Sequence, residues 1–410
     1  MQPMTAAPAT IGESSPRYAG WRVVFACYMA AVFCWGYGLY GHGVYLAELN
    51  RLHGWTIGAM SSATTAFYLL TAALVVFISD ALARLGPRRV MLMGACCFIG
   101  AVALLAFINA LWQLYAVYLL MSFGAASMHV GSISNVVGMW FNRQRGLALS
   151  LALNGASSGG ILITPALVLA IAHYGFADVM KGSAVLIAVV LLPIIALWIK
   201  RPAAPVAATP AGSQQASGAQ LATRRSALRD RKFWSVAAPF AMALTAQVGF
   251  LIHQIALLEP ALGRAQVGLS VAILTVAAIT GRFVLGALAT RLDMRRFTAW
   301  SLLSQALALG MLMVTGDALA VFAACALFGL SAGNLLTLPA LIIQREFEAA
   351  SFGMLVGLSW AISQFTYSFG PGLLGIIRDA TGGYGVPLAL CIALEFGAAA
   401  LILWRPAPRP

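Results

Sequence analysis

Twelve apolar stretches, each close to the length a helix needs to cross a lipid bilayer, fill most of this 410-residue chain. One crossing takes about 20 residues, and no other architecture uses so many runs of that length. Composition agrees: 61% of residues are hydrophobic and only 9% charged, against about 25% charged in ordinary globular proteins. A chain so short of charge is not a soluble enzyme, a nucleic-acid binder or a secreted scaffold. Forty glycines, more than the 37 charged residues, suit helices that approach one another closely in lipid, where small residues let backbones meet. The fold class expected is an all-α polytopic membrane protein.

The stretches run Trp21–Leu46, Trp55–Ser79, Arg89–Ile108, Trp112–Trp140, Leu147–His173 and Gly182–Ile199. After a gap come Phe233–Leu258, Val267–Ala289, Phe297–Thr315, Leu319–Ile343, Phe352–Ile376 and Tyr384–Trp404. They divide the chain into a tail (1–20), a six-helix bundle (21–199), a connector (200–232), a second six-helix bundle (233–404) and a short tail (405–410). The connector passes from Pro- and Ala-rich sequence through GSQQASGAQ to the basic RRSALRDRK, a flexible linker followed by a membrane-proximal amphipathic piece. The net charge of +13 does not mark a nucleic-acid partner, because of where it lies. With both termini placed inside, twenty of the 25 Lys and Arg fall in inside loops and tails, and only Arg51, Lys181, Arg264 and Arg378 outside. That is the positive-inside pattern, and it puts both termini in the cytoplasm of an inner-membrane protein. The six cysteines all lie inside apolar stretches, as small buried hydrophobes. The first twenty residues lack the pattern of a cleaved signal peptide, so the first stretch is expected to remain as a span.

The halves echo each other. SDALARLGPRRV (79–90) follows the second stretch and GALATRLDMRRF (286–297) the eighth. At an offset of 207, Arg84, Leu85, Arg88 and Arg89 fall on Arg291, Leu292, Arg295 and Arg296. Pro165 and Pro371 pair at 206. A six-plus-six duplication follows, and such repeats put the binding site near the midplane between halves. Here the chain resembles the major facilitator superfamily. The 79–90 loop is similar to that family's Gly-x-Leu-Ala-Asp-Arg-x-Gly-x-Arg-Arg signature, with Arg84, Gly86, Arg88 and Arg89 in place. Ser79 stands where the signature has its first Gly and Ala83 where it has Asp. Asp80, three residues earlier, is the candidate to replace that Asp in an inner gate that also includes Arg291 and Arg295. GVYLAEL (43–49), the WFNRQRGLA entry to the fifth stretch (140–148), ALRDRKFW (227–234) and GPGLLGIIRDATGGY (370–384) resemble the monocarboxylate/oxalate–formate branch. The resemblance implies twelve transmembrane helices in two pseudo-symmetric six-helix bundles, and secondary transport.

Ionisable residues deep in a membrane are costly and therefore point to function. Arg282 lies about 5 Å from the centre of its stretch, with Ala278 and Gly286 rather than an acid one turn away. Its planar fork suits a carboxylate; the bland reading is an arginine held by another helix. The resemblance adds that animal members of the branch carry an Arg here, preceded by an Asp where this chain has Ala278. His253 is a candidate for substrate binding or proton coupling, since imidazole titrates near neutrality. It lies about 11 Å outward of its span's centre, away from Arg282 unless the helix bends at Gly249; the alternative is an outer histidine bonded to a neighbour. Glu395, in the last stretch, reads as a neutral or helix-paired acid outside the cavity. Asn154, Asn334 and Tyr367 are neutral candidates for the cavity wall, and so are Asn135 and Gln364, though each also serves as helix–helix glue. Tyr37 and Tyr40, with Trp35 and His42, sit among Gly36, Gly38, Gly41 and Gly43, either a bending gate or an interfacial aromatic belt.

These residues favour a monomeric transporter of small organic anions, monocarboxylates in particular, working by alternating access with protons as a possible coupling ion. An exporter of amphipathic compounds is the alternative within transport, and a non-transporting sensor on the same fold the alternative outside it. No cofactor or metal is expected: His42, His53, His129, His173 and His253 are scattered, and neither a His-Glu-x-x-His nor a Gly-Lys-Ser/Thr motif occurs.

Overall fold

The structure, a computed structural model, describes Glu13, Ser15 and residues 17–200, 224–288, 292–348 and 351–405. Among these, every regular element is helical. Eleven spans are long and apolar enough to cross a membrane as they stand. In chain order, span 1 is Gly20–His53, span 3 Pro87–Phe107, span 4 Leu111–Gly138 and span 10 Ala318–Leu336. Span 2 (Ile57–Leu85), span 5 (Arg145–Tyr174), span 6 (Phe176–Trp198) and span 7 (Arg231–Leu262) are longer helices with polar ends or internal prolines. Span 8 (Val267–Leu288), span 9 (Met294–Val314) and span 12 (Gly385–Leu403) complete the eleven. The remaining crossing, span 11, differs from the continuous helix expected. It is assembled from Phe352–Tyr367 and Gly370–Thr381, interrupted at Ser368 and Phe369. Pro371 explains the break: it has no N–H to give, and its ring crowds the carbonyl four residues earlier, that of Tyr367.

Span 1 also departs from a plain helix. Gly36–Tyr40 forms a single π-helical turn, the kind of bulge that a glycine-rich stretch accommodates and that bends a long helix. The bulge carries span 1 on to His53, seven residues beyond its expected end.

The duplication seen in the sequence is visible in the backbone. Gly175 and Gly382, related by the same offset of 207, join spans 5 to 6 and 11 to 12 with φ of 79° and 72°, a region side chains resist. Span 4 breaks at His129, and span 10 tightens into a 3₁₀ turn at Gly333–Leu336, again at corresponding places.

The halves pack by small residues. A Cβ on Gly155 or Gly159 of span 5 would run into the Tyr28 or Val32 carbonyl of span 1. On span 10, Gly329 and Gly333 meet the Leu274 and Ala278 carbonyls of span 8 in the same way. This i, i+4 glycine spacing lets backbones touch where a larger residue would hold the helices apart.

Both described chain ends lie on one side, here the terminal side; the opposite is the far side. On the far side one continuous buried core includes residues of both halves, from Tyr45 and Ile57 to Ile252, Val271 and Leu374. The terminal-side part of the second half, from Phe233 to Ile402, has a separate core. The molecule is therefore closed across its seam on the far side.

Terminal-side polar contacts stabilise each half internally. Glu13 accepts the backbone N–H groups of Asn142 and Gln144, each at 2.9 Å. Burial alone would raise the Glu13 carboxyl, but these amides, with that of Arg143, hold it below its ordinary value. Asp293 caps span 9. There too burial pushes upward and is outweighed by the Arg296 amide and the Arg405 guanidinium. The helix Arg224–Arg229 buries Ala227 and leaves its arginines exposed, as an amphipathic piece should. Residues 201–223 of the connector lie outside the described residues.

Candidate functional site

Spans 5 and 8 cross the seam antiparallel to each other. At their far-side end a Cβ on Gly268 would lie 3.0 Å from the Cα of Pro165. Further in, a Cβ on Gly160 would lie 2.8 Å from both Thr275 Oγ1 and Tyr40 Cε2. Deepest of these crossings, Arg282 donates a hydrogen bond to the Ser157 hydroxyl. Arg282, Ser157, Thr275 and Tyr40 thus share one layer of the seam, near mid-depth and toward the terminal side. Arg282 is half-buried. None of the ion pairs formed by the described residues involves it. A guanidinium offers several N–H donors in a planar fork, and a single serine hydroxyl leaves most of that capacity open.

Two other sequence candidates border this layer. Asn154 is half-buried one turn from Ser157; its carbonyl accepts from Ser158, whose hydroxyl accepts from Tyr28 at 2.7 Å. Asn334 is buried in the 3₁₀ turn of span 10. Its amide nitrogen donates to Leu330 at 3.2 Å and its Oδ1 has no partner. Its neighbour Gly333 packs on Ala278, so span 10 approaches span 8 one turn before Arg282.

Tyr367, beside the break in span 11, packs edge-on against Tyr68 of span 2 with ring centroids 5.8 Å apart. It belongs to the seam but to a different layer. Tyr37 is not in the seam: it is buried in the first half, stacked on Phe33 and facing Ser183 of span 6.

Nor does the structure bring His253 to Arg282. Span 7 runs without a break through Gly249, which packs on Leu374, so no bend carries the imidazole inward. His253 Nε2 lies 2.9 Å from the Pro371 carbonyl and 3.3 Å from Ser61 Oγ. Its Nδ1 lies 3.1 Å from the Tyr384 hydroxyl. With the Nε2 proton given to the carbonyl and Nδ1 accepting from Tyr384, a neutral ring is fully used.

This histidine is one member of a far-side closure that sequence reasoning did not assemble. Asp379 Oδ2 accepts the Gly58 N–H at 2.6 Å, so a carboxylate of the second half sits on the N-terminus of span 2, where helix dipole and unpaired amides favour an anion. Gly372 donates to Thr65 at 3.1 Å. Glu48 of span 1 receives Arg264 at 3.0 Å through both oxygens and also pairs with Arg51. Arg51 reaches Glu259 at 3.8 Å. The only advance signal was that Glu48 and Asp379 fell inside the quoted strings GVYLAEL and GIIRDATGG.

The signature loops behave unequally. Arg84, Arg88 and Arg89 are exposed, and Gly86 turns the chain with φ of 86°. Asp80 is exposed one turn before Arg84 and is absent from the ion pairs of the described residues. Arg291 lies outside the described residues. Arg295, by contrast, is 1% exposed. It grips Glu346 at 2.7 and 2.9 Å, the Ile402 and Trp404 carbonyls, and Ser235. All those partners belong to the second half. Glu395 is also fully buried, with neither carboxyl oxygen hydrogen-bonded.

Comparison with known proteins gives one answer at three levels. In sequence, the chain is 25% identical over 343 residues to an uncharacterized MFS-type transporter, YcxA, of Bacillus subtilis, covering 82% of this chain and 83% of that one. It is 26% identical over 355 residues to human monocarboxylate transporter 11, covering 80% and 70%. In structure, it superposes with a TM-score of 0.69 on a bacterial homolog of the human lysosomal transporter Spinster. That protein was solved in an inward-facing, unoccupied conformation; the match covers 96% of this chain and 100% of that one at 14% identity. A family model described as Major Facilitator Superfamily matches residues 24–371, and together with a helical, two-bundle membrane fold this places the chain in the major facilitator superfamily of transporters.

Proposed function

We propose that this transporter moves small organic anions, monocarboxylates foremost, across the cytoplasmic membrane by alternating access, with protons as the coupling ion. Its terminal side is then cytoplasmic, as the distribution of basic residues requires. The closed far side is the outer face, so the structure corresponds to an inward-facing state.

One observation carries the anion reading. Arg282 lies at the seam near mid-depth with a serine hydroxyl from the opposite half as its partner and, among the described residues, no carboxylate in an ion pair with it. A deep cation without an anion is expensive. A substrate carboxylate entering from the inner side would replace Ser157 and take the fork in bidentate fashion. Because Ser157 belongs to the first half and Arg282 to the second, that exchange also breaks a bond holding the halves together. Binding is thereby linked to the movement it must trigger, and Asn154, Asn334 and Tyr40 line the approach. The likeness to monocarboxylate transporter 11 supports the same substrate class.

Uptake of labelled monocarboxylates by proteoliposomes, with and without an imposed pH gradient, tests the proposal. Saturable, Arg282-dependent uptake of at least one carboxylate is the expected result. Uptake indistinguishable from protein-free liposomes for the whole panel rejects it.

A further inference from the structure

His253 is fully bonded, which leaves open where a coupling proton would sit. The other deeply buried histidine of the seam region stands differently. His42, on span 1, is 0% exposed; its polar neighbour is the Gly38 carbonyl one turn earlier on the same helix, and no hydrogen bond of good geometry reaches either ring nitrogen. A neutral imidazole holds one N–H and one lone pair; the Gly38 carbonyl can take the N–H, and the lone pair goes unused at an appreciable cost. Around the ring stand Tyr118 of span 4 and Phe67 of span 2, with centroids at 4.4 and 4.6 Å, then Tyr45 at 6.0 Å and Tyr68 at 6.2 Å. All four are inclined to the imidazole. An aromatic cage of this kind suits a cation, because ring faces carry negative potential.

The position fits a gated site. His42 directly precedes Gly43, whose added Cβ would lie 3.0 Å from the Ile252 carbonyl of span 7, and it follows the π-helical turn Gly36–Tyr40. Tyr68, one wall of the cage, packs on Tyr367 of the second half. The cage is thus shut off from the outer face by the same contacts that close the seam. Toward the cytoplasm, Tyr40, on the π-helical turn before His42, lies against Gly160 of span 5 beside Thr275, in the layer that also holds Arg282. The ionisable groups facing the imidazole are Tyr45 on its own helix, Tyr68 on span 2 and Tyr118 on span 4. None of these is an acid that would keep His42 charged at all times.

From this we infer that His42 is the proton-binding residue of the transport cycle. When the outer seam parts, water reaches the cage, and the free ring nitrogen takes a proton from hydronium, leaving water. The imidazolium is held by the four rings. After the outer seam closes again and the inner side opens, the imidazolium gives its proton to water on the cytoplasmic side, restoring the neutral ring. The inference rests on the anion-transport reading for its place in the cycle, and not for the protonation itself.

Two measurements on the full-length protein separate these. In proteoliposomes, one coupled proton lets a gradient of about one pH unit sustain roughly tenfold accumulation of a carboxylate. His42→Phe, which fills the cage without a titratable group, should keep counterflow exchange near the wild-type rate while losing that accumulation. His42→Phe that accumulates substrate as the wild type does overturns the inference. The second measurement needs no substrate: imidazole ¹⁵N spectra of the histidine-labelled protein in nanodiscs, titrated from about pH 8 to 5, bracketing the unperturbed imidazole value. A titrating signal present in the wild type and missing from both His42→Phe and His42→Gln supports the assignment, even if no carboxylate in the panel is transported. Identical titrations in all three proteins overturn it.

Discussion

Two arginines show how burial and partnering decide what a charge is for. Arg282 has one serine hydroxyl and stays half-buried at a seam that must open. Arg295 has a carboxylate, two carbonyls and a hydroxyl, and is enclosed in one half. The first is exchangeable and the second structural. Arg282→Ala and Arg282→Lys should both insert and fold, and should lose carboxylate binding by roughly 1.5–3 kcal/mol, the worth of a charged hydrogen bond. Lysine is no rescue, because an ammonium lacks the planar fork. Equilibrium binding to folded, purified variants checks this, and unchanged affinity in Arg282→Ala would dispose of the anion site. Arg295→Ala instead leaves the half-buried Glu346, Ser235 and two backbone carbonyls without their partner, at an expected cost of about 1.5–3 kcal/mol or more for hydrogen bonds to a charged group. Its counterpart at the 207 offset, Arg88, is exposed. Arg88→Ala should therefore leave thermal stability nearly unchanged while Arg295→Ala yields little monodisperse protein. Equal losses would mean that the repeat's two arginines share one role.

At the scale of helices, the far-side closure is built from helix ends. Asp379 on the N-terminus of span 2, and Glu48 between Arg51 and Arg264, each join elements from opposite halves. Asp379→Asn keeps the shape and removes the charge from a favourable dipole end, at a cost of about 0.5–2 kcal/mol. That shifts the closed-to-open balance by roughly two- to thirtyfold, with 1.4 kcal/mol per factor of ten. A Ser61→Cys reporter, placed at the closure, should then react with an impermeant thiol reagent from the far side faster by that factor. A rate unaffected by Asp379→Asn would show that the cap does not hold the seam. These elements also show where the sequence was informative. Hydrophobic runs and glycine spacing exposed the spans, because both depend on local composition. The glycines around Gly36–Tyr40 already suggested a bend in span 1, where the π-helical turn lies, and Pro371 marks the break in span 11. The pairing of Asp379 with Gly58 could not be read, since 321 residues separate them and only tertiary packing joins them. Arg282 was legible because charge in an apolar run stands out; Ser157 and Thr275, as ordinary hydroxyls, were not. His42 was visible only as one aromatic among several, because missing hydrogen bonds leave no trace in a sequence.

For the whole molecule, what was recognisable in the chain as repetition is recognisable in space as two halves that share a far-side core and hold separate cores on the terminal side. Large apolar side chains on the outside, such as Val76, Phe283 and Trp300, are 72–73% exposed. In water such a surface would aggregate; in lipid it is the solvent-facing side. Orientation in that bilayer rests on charge alone: of the 25 basic residues, twenty lie on the terminal side by the sequence count and four on the other. Each basic residue held in the cytoplasm avoids a costly passage through the membrane, and the bias accumulates over short loops. The connector after span 6 carries seven of the twenty and must lie on that same side. A Ser213→Cys reporter in the connector should therefore resist impermeant thiol reagents added to intact cells and react once the membrane is opened. The connector's Pro-, Ala- and Ser-rich part, PVAATPAGSQQASG (205–218), carries no charged and no aromatic side chain. Deleting residues 205–218 should leave insertion and transport near wild type, with the basic segment and the Arg224–Arg229 helix kept to hold the topology. Labelling of Ser213→Cys in intact cells would reverse the assignment of sides, and with it the inward-facing reading of the closed far face.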